Sequence, residues 1–154
     1  MTSTLTTLGH ETTSGLLSFT SYYLLKNPEA YRKAQQEVDD VVGKGPVTSQ
    51  HLNKLPYIEA ILRESLRLEP TAPAFTVKPV ASTPGPVVLG GKYYIPPDSS
   101  IVCLLPSIGR DASVFGADAN EFRPERMYKE NFTKLPSNAW KASTQILNVR
   151  SADF

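Results

Sequence analysis

The sequence has few of the residues from which metal sites and covalent cross-links are built. Its 154 residues include one cysteine and two histidines, which excludes a disulfide framework and a cysteine-cluster metal site. Cys103 lies in an apolar run, where a free cysteine usually acts as a small buried hydrophobe. The zinc-protease pattern H-E-x-x-H starts at His10 but fails, because Ser14 occupies the position of the second histidine. We therefore expect no metal site made from these side chains.

The sequence also lacks a strong excess of positive or negative charge, and it lacks a long apolar segment. The formal net charge is +1, which argues against nucleic acid as the main partner. No stretch approaches the roughly 18 consecutive apolar residues of a membrane span, and the first residues have neither the basic start nor the apolar run of a signal peptide. With 40% hydrophobic residues, the chain is long enough for one domain with a real core.

What the sequence does have is helical periodicity in its first half. Apolar residues recur three or four apart over 4–26, 28–42 and 56–69, and Thr48 offers an N-cap for a short helix before the last of these. The polar segment 9–15 lies inside the first helix. It predicts a local distortion there, because Thr and Ser hydroxyls compete for backbone carbonyls.

The second half contains short β-branched and aromatic runs. Those at 76–80, 87–89, 92–95 and 100–105 predict strands, and Gly90-Gly91 predicts a two-residue hairpin turn. Beyond these strands the chain reads as mostly irregular, with one short helix near Asp111. The whole pattern predicts a mainly α fold with a small β region and no linker that would divide it into two independent domains.

The helix predicted over 56–69 carries an acid and a base on one side. Glu64 and Arg67 stand three residues apart, which places them on the same face. Taken alone, such a pair is usually solvated and contributes roughly 0.2–1 kcal/mol. The helix then runs into residues 70–74, a stiff extended segment of prolines and small side chains that we call the elbow.

Four motifs follow one another along the chain. They are Gly-His-Glu-Thr-Thr at 9–13, Glu-Ser-Leu-Arg at 64–67, Pro-Thr-Ala-Pro at 70–73 and Glu-Phe-Arg-Pro-Glu-Arg at 121–126. Each is weak alone, but in this order they resemble the C-terminal half of a cytochrome P-450, a heme-thiolate monooxygenase. The residues of these motifs are most similar to those of the self-sufficient fatty-acid hydroxylases, in which the heme domain is fused to a reductase. The resemblance covers about residues 5–141 and implies a partial P-450 fold from the distal helix to the meander.

The resemblance implies catalytic roles for Glu11 and Thr12 as the acid and alcohol that relay protons on the oxygen side of the heme. A Thr hydroxyl both donates and accepts, and a nearby carboxylate can resupply the proton. The alternative is a helix Thr that bonds its own backbone. The residues expected to line the heme pocket and substrate channel are Leu8, Gly9, Thr71, Ala72, Pro73 and Ala74.

By the same resemblance, Glu64, Arg67 and Arg126 form a structural triad that locks the meander onto the core. A bidentate Arg–carboxylate geometry would make this triad rigid. Arg123 is the alternative third member. The triad is expected to be structural rather than catalytic.

The sequence departs from the family pattern at three places. Family members carry a glycine-rich loop whose cysteine thiolate binds the heme iron. Residues 135–141 resemble the segment that leads into this loop, but no cysteine follows them. We therefore expect residues 142–154 to be a divergent tail foreign to the family. Leu8 stands where the family usually has a smaller residue. Gly109 replaces a usual histidine, which predicts a looser contact on the heme side.

The resemblance therefore implies a monooxygenase that inserts one oxygen atom into a lipophilic or fatty-acid substrate. Its cofactors would be heme and NADPH, the latter acting through a reductase domain or protein as partner. The alternative is a catalytically inactive fragment that lacks the heme-thiolate cysteine and at most binds partners through exposed core surface. The presence of a thiolate ligand distinguishes the two.

Overall fold

The computed structural model describes residues 2–79, 85–96, 99–136 and 139, with side chains from residue 10 onward. Its helices are α1 (Thr2–Lys26), α2 (Pro28–Val41), α3 (Ser49–Leu52), α4 (Pro56–Leu68), α5 (Leu105–Gly109), α6 (Ala112–Phe115) and α7 (Lys129–Lys134), with a 3-10 turn at Pro124–Met127. The strands are β1 (Ala74–Val77), β2 (Val87–Leu89), β3 (Tyr93–Ile95) and β4 (Ile101–Leu104). The mainly α fold with a small β region is confirmed.

Helix α1 runs without interruption across the polar segment in which the sequence predicts a distortion. The Ser14 hydroxyl donates to the Glu11 carbonyl at 3.1 Å and the Ser18 hydroxyl donates to the Ser14 carbonyl at 2.8 Å. Both hydroxyls donate to carbonyls three or four residues earlier, so their hydrogen bonds are made within the helix. Each of these carbonyls accepts the hydroxyl without ending the helix.

The start of α4 is capped by a carboxylate from α2. Glu37 accepts from the backbone N–H of Tyr57 at 2.8 and 3.0 Å and from that of Ile58 at 2.9 Å. These are two of the N–H groups that a helix start leaves without an intrahelical partner, and a negative charge there also complements the helix dipole. Pro56 occupies the first helical position, where a proline needs no hydrogen bond. The cap therefore fixes α4 against α2.

The core is organised around α4. One cluster of buried residues comprises Ala60, Phe115, Ala119, Met127 and Ala139, and a second comprises Ala34, Tyr57 and Ile61. Each cluster takes at least one member from α4, so this helix packs against α2 on one side and against the segment 115–139 on the other. Glu64, Ser65 and Arg67 of α4 are buried as well, which places polar groups in the centre of the fold.

The strands form two separate antiparallel ribbons. In the first, β1 pairs with β4, and Phe75 lies opposite Cys103. In the second, β2 pairs with β3 so that Leu89 lies opposite Tyr93. The connecting turn therefore has three residues rather than the predicted two, because Lys92 lies in the turn, while Gly90 and Gly91 adopt the positive φ angles expected of such a turn. None of the helices that the structure describes is long and apolar enough to cross a membrane.

Candidate functional site

Glu64 and Arg67 form a buried, bidentate ion pair. The Arg67 Nε donates to Glu64 Oε2 at 2.8 Å and its Nη2 donates to Oε1 at 2.7 Å. Both side chains are 0% exposed, so this is not the solvated surface pair that the spacing alone suggests. The i, i+3 spacing on α4 places the two groups side by side, and two parallel charge-assisted hydrogen bonds hold the guanidinium in one orientation.

Arg67 uses its remaining N–H groups to bind backbone carbonyls from distant parts of the chain. Its Nη1 donates to the carbonyl oxygens of Gly109 at 2.5 Å and Ala119 at 2.6 Å, and its Nη2 donates to the Glu121 carbonyl at 3.0 Å. A guanidinium has five donors and no acceptor; the Gly109 and Ala119 carbonyls are buried and the Glu121 carbonyl is partly buried. Arg67 thereby fastens the end of α5 and the segment 119–121 to α4.

Arg126 reaches the same carboxylate from the 3-10 turn. Its Nε lies 3.5 Å from Glu64 Oε1, and its terminal nitrogens donate to the carbonyls of Phe115 and Asp118. The structure thus brings the three predicted triad residues together. It also adds a fourth charged group that the sequence did not indicate, because Asp118 Oδ1 pairs with Arg126 at 3.1 Å.

The alternative third member, Arg123, takes a different position. Only its backbone N–H reaches Glu64, at 3.0 Å from Oε1. Its guanidinium pairs with Asp118 at 2.7 Å and is 60% exposed. Hydrogen bonds from Arg123 and then Arg126 hold the pKa of Asp118 below its ordinary value, since both favour the ionised carboxylate. Asp118 therefore links the two arginines of this segment.

Gly109, at which the sequence predicts a looser contact on the heme side, lies directly against the backbone of α4. A Cβ placed on Gly109 would lie 2.1 Å from the backbone carbonyl oxygen of Arg67 and 3.1 Å from its carbonyl carbon. No side chain fits at that distance from backbone. The glycine is what allows α5 to approach α4 closely enough for its own carbonyl to accept from Arg67, so the contact it makes is tight.

A second group of predicted residues meets where α1 passes the elbow. A Cβ on Gly15 would lie 3.4 Å from Thr71 Cγ2, so helix and elbow are in van der Waals range. Glu11 and Thr12 lie one turn before Gly15 on the same side of α1 and are exposed. We call Glu11, Thr12, Gly15 and Thr71 the corner. Ala72, Pro73 and Ala74 continue from it as exposed small residues. The Leu8 side chain and the surroundings of Gly9 lie outside the described part of the structure.

A family model for cytochrome P-450 matches residues 1–142. The chain belongs to the cytochrome P-450 family. Its described helices and ribbons accordingly form a partial P-450 fold, in which α1 is the distal helix, α4 carries the Glu64–Arg67 pair, and the segment that follows α6 is the meander. The P-450 family consists of heme-dependent monooxygenases, in which a protein thiolate ligates the iron.

The chain is similar to P-450 proteins whose names describe them as self-sufficient or bifunctional. A self-sufficient cytochrome P-450 monooxygenase of Penicillium freii is 63% identical over 133 residues, which cover 86% of this chain and 12% of that protein. One from Aspergillus terreus is 62% identical over the same length. A bifunctional cytochrome P-450/NADPH–P-450 reductase of Acremonium egyptiacum is 58% identical over 135 residues, or 13% of its length. The chain therefore spans about an eighth of the length of these relatives.

The thiolate that ligates the heme iron in the family has one candidate side chain in this P-450 chain, Cys103. No group of three or more His, Cys, Asp or Glu side chains within the described ranges could hold a metal ion. Cys103, the only cysteine of the sequence, is half-buried in β4 opposite Phe75. The donor set thus does not fit the thiolate-ligated heme of the family, and residues 142–154 lie outside the described residues.

Proposed function

We propose that this chain forms part of the active-site wall and the supporting scaffold of a heme monooxygenase acting on a lipophilic substrate of fatty-acid type. Electrons would come from NADPH through a reductase, as the name of the Acremonium egyptiacum relative indicates for that protein. The observation that carries the proposal is the corner, where the acid and alcohol of α1 lie one turn from a helix–elbow contact. Behind it, the buried Glu64–Arg67 pair supports the same elbow through α4.

Each part of the corner has a task that follows from its chemistry. The Thr12 hydroxyl can accept a proton and donate one, and the Glu11 carboxylate one position away can resupply it. Ala72, Pro73 and Ala74 present small apolar surface, which leaves room for an alkyl chain beside α1. Glu64, Arg67 and Arg126 take no part in the chemistry in this proposal; they hold the walls in place.

A chimera tests this function. Residues 5–141 of this chain would replace the matching segment of the Aspergillus terreus relative, which supplies its own iron-ligand loop and reductase. We expect the chimera to hydroxylate dodecanoate with NADPH, and we expect Thr12→Ala to lower product formed per NADPH by about tenfold or more. Thr13→Ala is the matched control, because that residue lies on the other side of α1 from Gly15.

Two results would count against the proposal. A chimera that folds and binds heme but gives no product would show that this segment does not shape a fatty-acid site. Equal losses in the Thr12→Ala and Thr13→Ala chimeras would show that the corner does not handle protons.

A second candidate rests on Cys103, which is placed in a ribbon rather than in an iron-binding loop. In this case the chain as written is a catalytically inactive piece of the family domain, and we infer that residues 142–154 are foreign to it. Sequencing spliced transcripts across the Lys141 codon tests the origin of the tail. The same reading frame in every message would argue that the tail is genuine.

A further inference from the structure

Three side chains from separate parts of the chain meet at the end of α4, directly before the elbow. Glu69, the residue that follows α4, accepts from the Tyr23 hydroxyl at 3.2 Å and from Arg110 Nη2 at 2.8 Å, both on Oε1. Tyr23 belongs to α1, and Arg110 follows α5. One carboxylate oxygen therefore joins α1 and the end of α5 to the residue from which the elbow starts.

Arg110 makes more than an ion pair. Its Nη1 donates to the Leu68 carbonyl at 2.5 Å and to the Pro106 carbonyl at 3.3 Å. The Leu68 carbonyl is one of the last in α4, where no intrahelical N–H is available. Arg110 thus caps the C-terminal end of α4 and also forms an ion pair with Glu69. A partly exposed ion pair alone would contribute little, but these three contacts fix the guanidinium in place.

The Tyr23 ring is held independently of its hydroxyl. It stacks on Phe122 of the meander with ring centroids 4.8 Å apart and an angle of 6° between the planes. Burial, together with the Glu69 carboxylate, raises the pKa of Tyr23 to about 12, so the phenol stays protonated and able to donate. The hydroxyl is therefore aimed at Glu69 by a ring that is already fixed.

These contacts give α1 two attachments to the elbow region. The Tyr23–Glu69 hydrogen bond is one, and the approach of Gly15 to Thr71 is the other. They lie about 12 Å apart along the helix, which rises about 1.5 Å per residue. At its far end the elbow is held by the Pro73 carbonyl, which accepts from the Leu105 N–H at 2.9 Å. The elbow is thereby tethered on both sides of Ala72.

We propose that Glu69, Tyr23 and Arg110 act together as a strap that sets the spacing between α1 and the elbow, and hence the width available to an apolar chain at the corner. Glu69 is then a positioning residue for substrate, acting through the elbow. The substrate part of this inference rests on the proposed function, whereas the mechanical part stands on the contacts themselves.

Hydrogen exchange of the Leu105 amide in the 154-residue chain tests the strap, because that amide reports whether the elbow holds its place on β4. We expect Glu69→Gln to accelerate its exchange about tenfold, as loss of a charge-assisted bond should. Tyr23→Phe keeps the stacked ring and should give a smaller acceleration. The control is Glu59→Gln, which breaks the exposed pair of Glu59 with Arg63 on the same helix and should leave Leu105 unchanged.

A second measurement separates the strap from the proposed substrate. Dodecanoate is titrated into the same chain while the amide resonances of Thr71, Ala72, Ala74 and Phe75 are followed. We expect weaker binding in Glu69→Gln than in Glu59→Gln. Wild-type exchange at Leu105 in both Glu69→Gln and Tyr23→Phe, or equal acceleration of every α4 amide, would overturn the strap. A chain that takes up no dodecanoate while Leu105 responds as expected would support the strap and count against the proposed substrate.

Discussion

Gly109→Ala is expected to cost about 3 kcal/mol or more in free energy of unfolding. The added methyl would lie 2.1 Å from the Arg67 carbonyl oxygen, and both atoms belong to or directly adjoin backbone that cannot rotate away. Overpacking a filled site typically costs about 1–3 kcal/mol, and contacts with rigid groups lie at the upper end or beyond. The shift of α5 that would relieve the overlap also lengthens the bond from Arg67 to the Gly109 carbonyl. Urea unfolding followed by circular dichroism measures the loss.

Gly45→Ala is the matched control for this substitution. A Cβ on Gly45 would lie 3.8 Å from the Val42 carbonyl oxygen, which is ordinary contact, so we expect a change in unfolding free energy of about 1 kcal/mol or less. If Gly109→Ala unfolded at the same urea concentration as Gly45→Ala, the close approach of α5 to α4 would be wrong.

Arg67→Met is expected to cost about 3–5 kcal/mol, the usual effect of removing one member of a buried ion pair. The change leaves the fully buried Glu64 carboxylate with Arg126 as its nearest cation, at 3.5 Å. It also removes the donor from two buried carbonyls and one partly buried carbonyl. Thermal and urea unfolding of the variant should show the loss directly.

Arg63→Met provides the comparison, because Arg63 forms an i, i+4 pair with Glu59 on the same helix but is partly exposed. We expect it to cost about 1 kcal/mol or less. In the double variant Glu64→Gln/Arg67→Met, the loss should be smaller than the sum of the two single losses by about 0.5–3 kcal/mol, as for groups in direct contact. Strict additivity, or equal costs for Arg67→Met and Arg63→Met, would contradict the buried pair.

The sequence anticipated the elements whose signals are local. Helical spacing and the prolines at 28 and 56 place α1, α2 and α4 to within a few residues, because both signals act over one or two turns. The short helices after β4 and the turn at Pro124–Met127 lack such periodicity, although the short helix predicted near Asp111 is present as α6. Helices α5 and α6 are stabilised by Arg67 and Arg126, which bind the carbonyls of Gly109 and Phe115. These partners lie outside the helices themselves, so local periodicity cannot show them.

In the candidate site, too, the sequence predicted what depends on local spacing and missed what depends on distant contacts. Spacing put Glu64 beside Arg67, and the family resemblance supplied Arg126, but neither gave the burial that makes the pair strong. Asp118, Glu37 and Glu69 are ordinary acidic residues in the sequence, and only the packing of separate segments shows that they bind Arg126, the start of α4 and Tyr23. The packing role of Gly109 is likewise absent from the local sequence, because it depends on the space that this residue leaves for the Arg67 backbone.

The absorption spectrum of the purified chain with hemin, dithionite and carbon monoxide decides whether one of its side chains gives heme iron a thiolate. We expect no reduced carbonyl band at the red-shifted position after which the P-450 family is named, because the only thiol of the sequence lies in β4 opposite Phe75. Such a band in the wild-type chain, lost in Cys103→Ser, would contradict this account and show that the chain completes a P-450 heme site by itself.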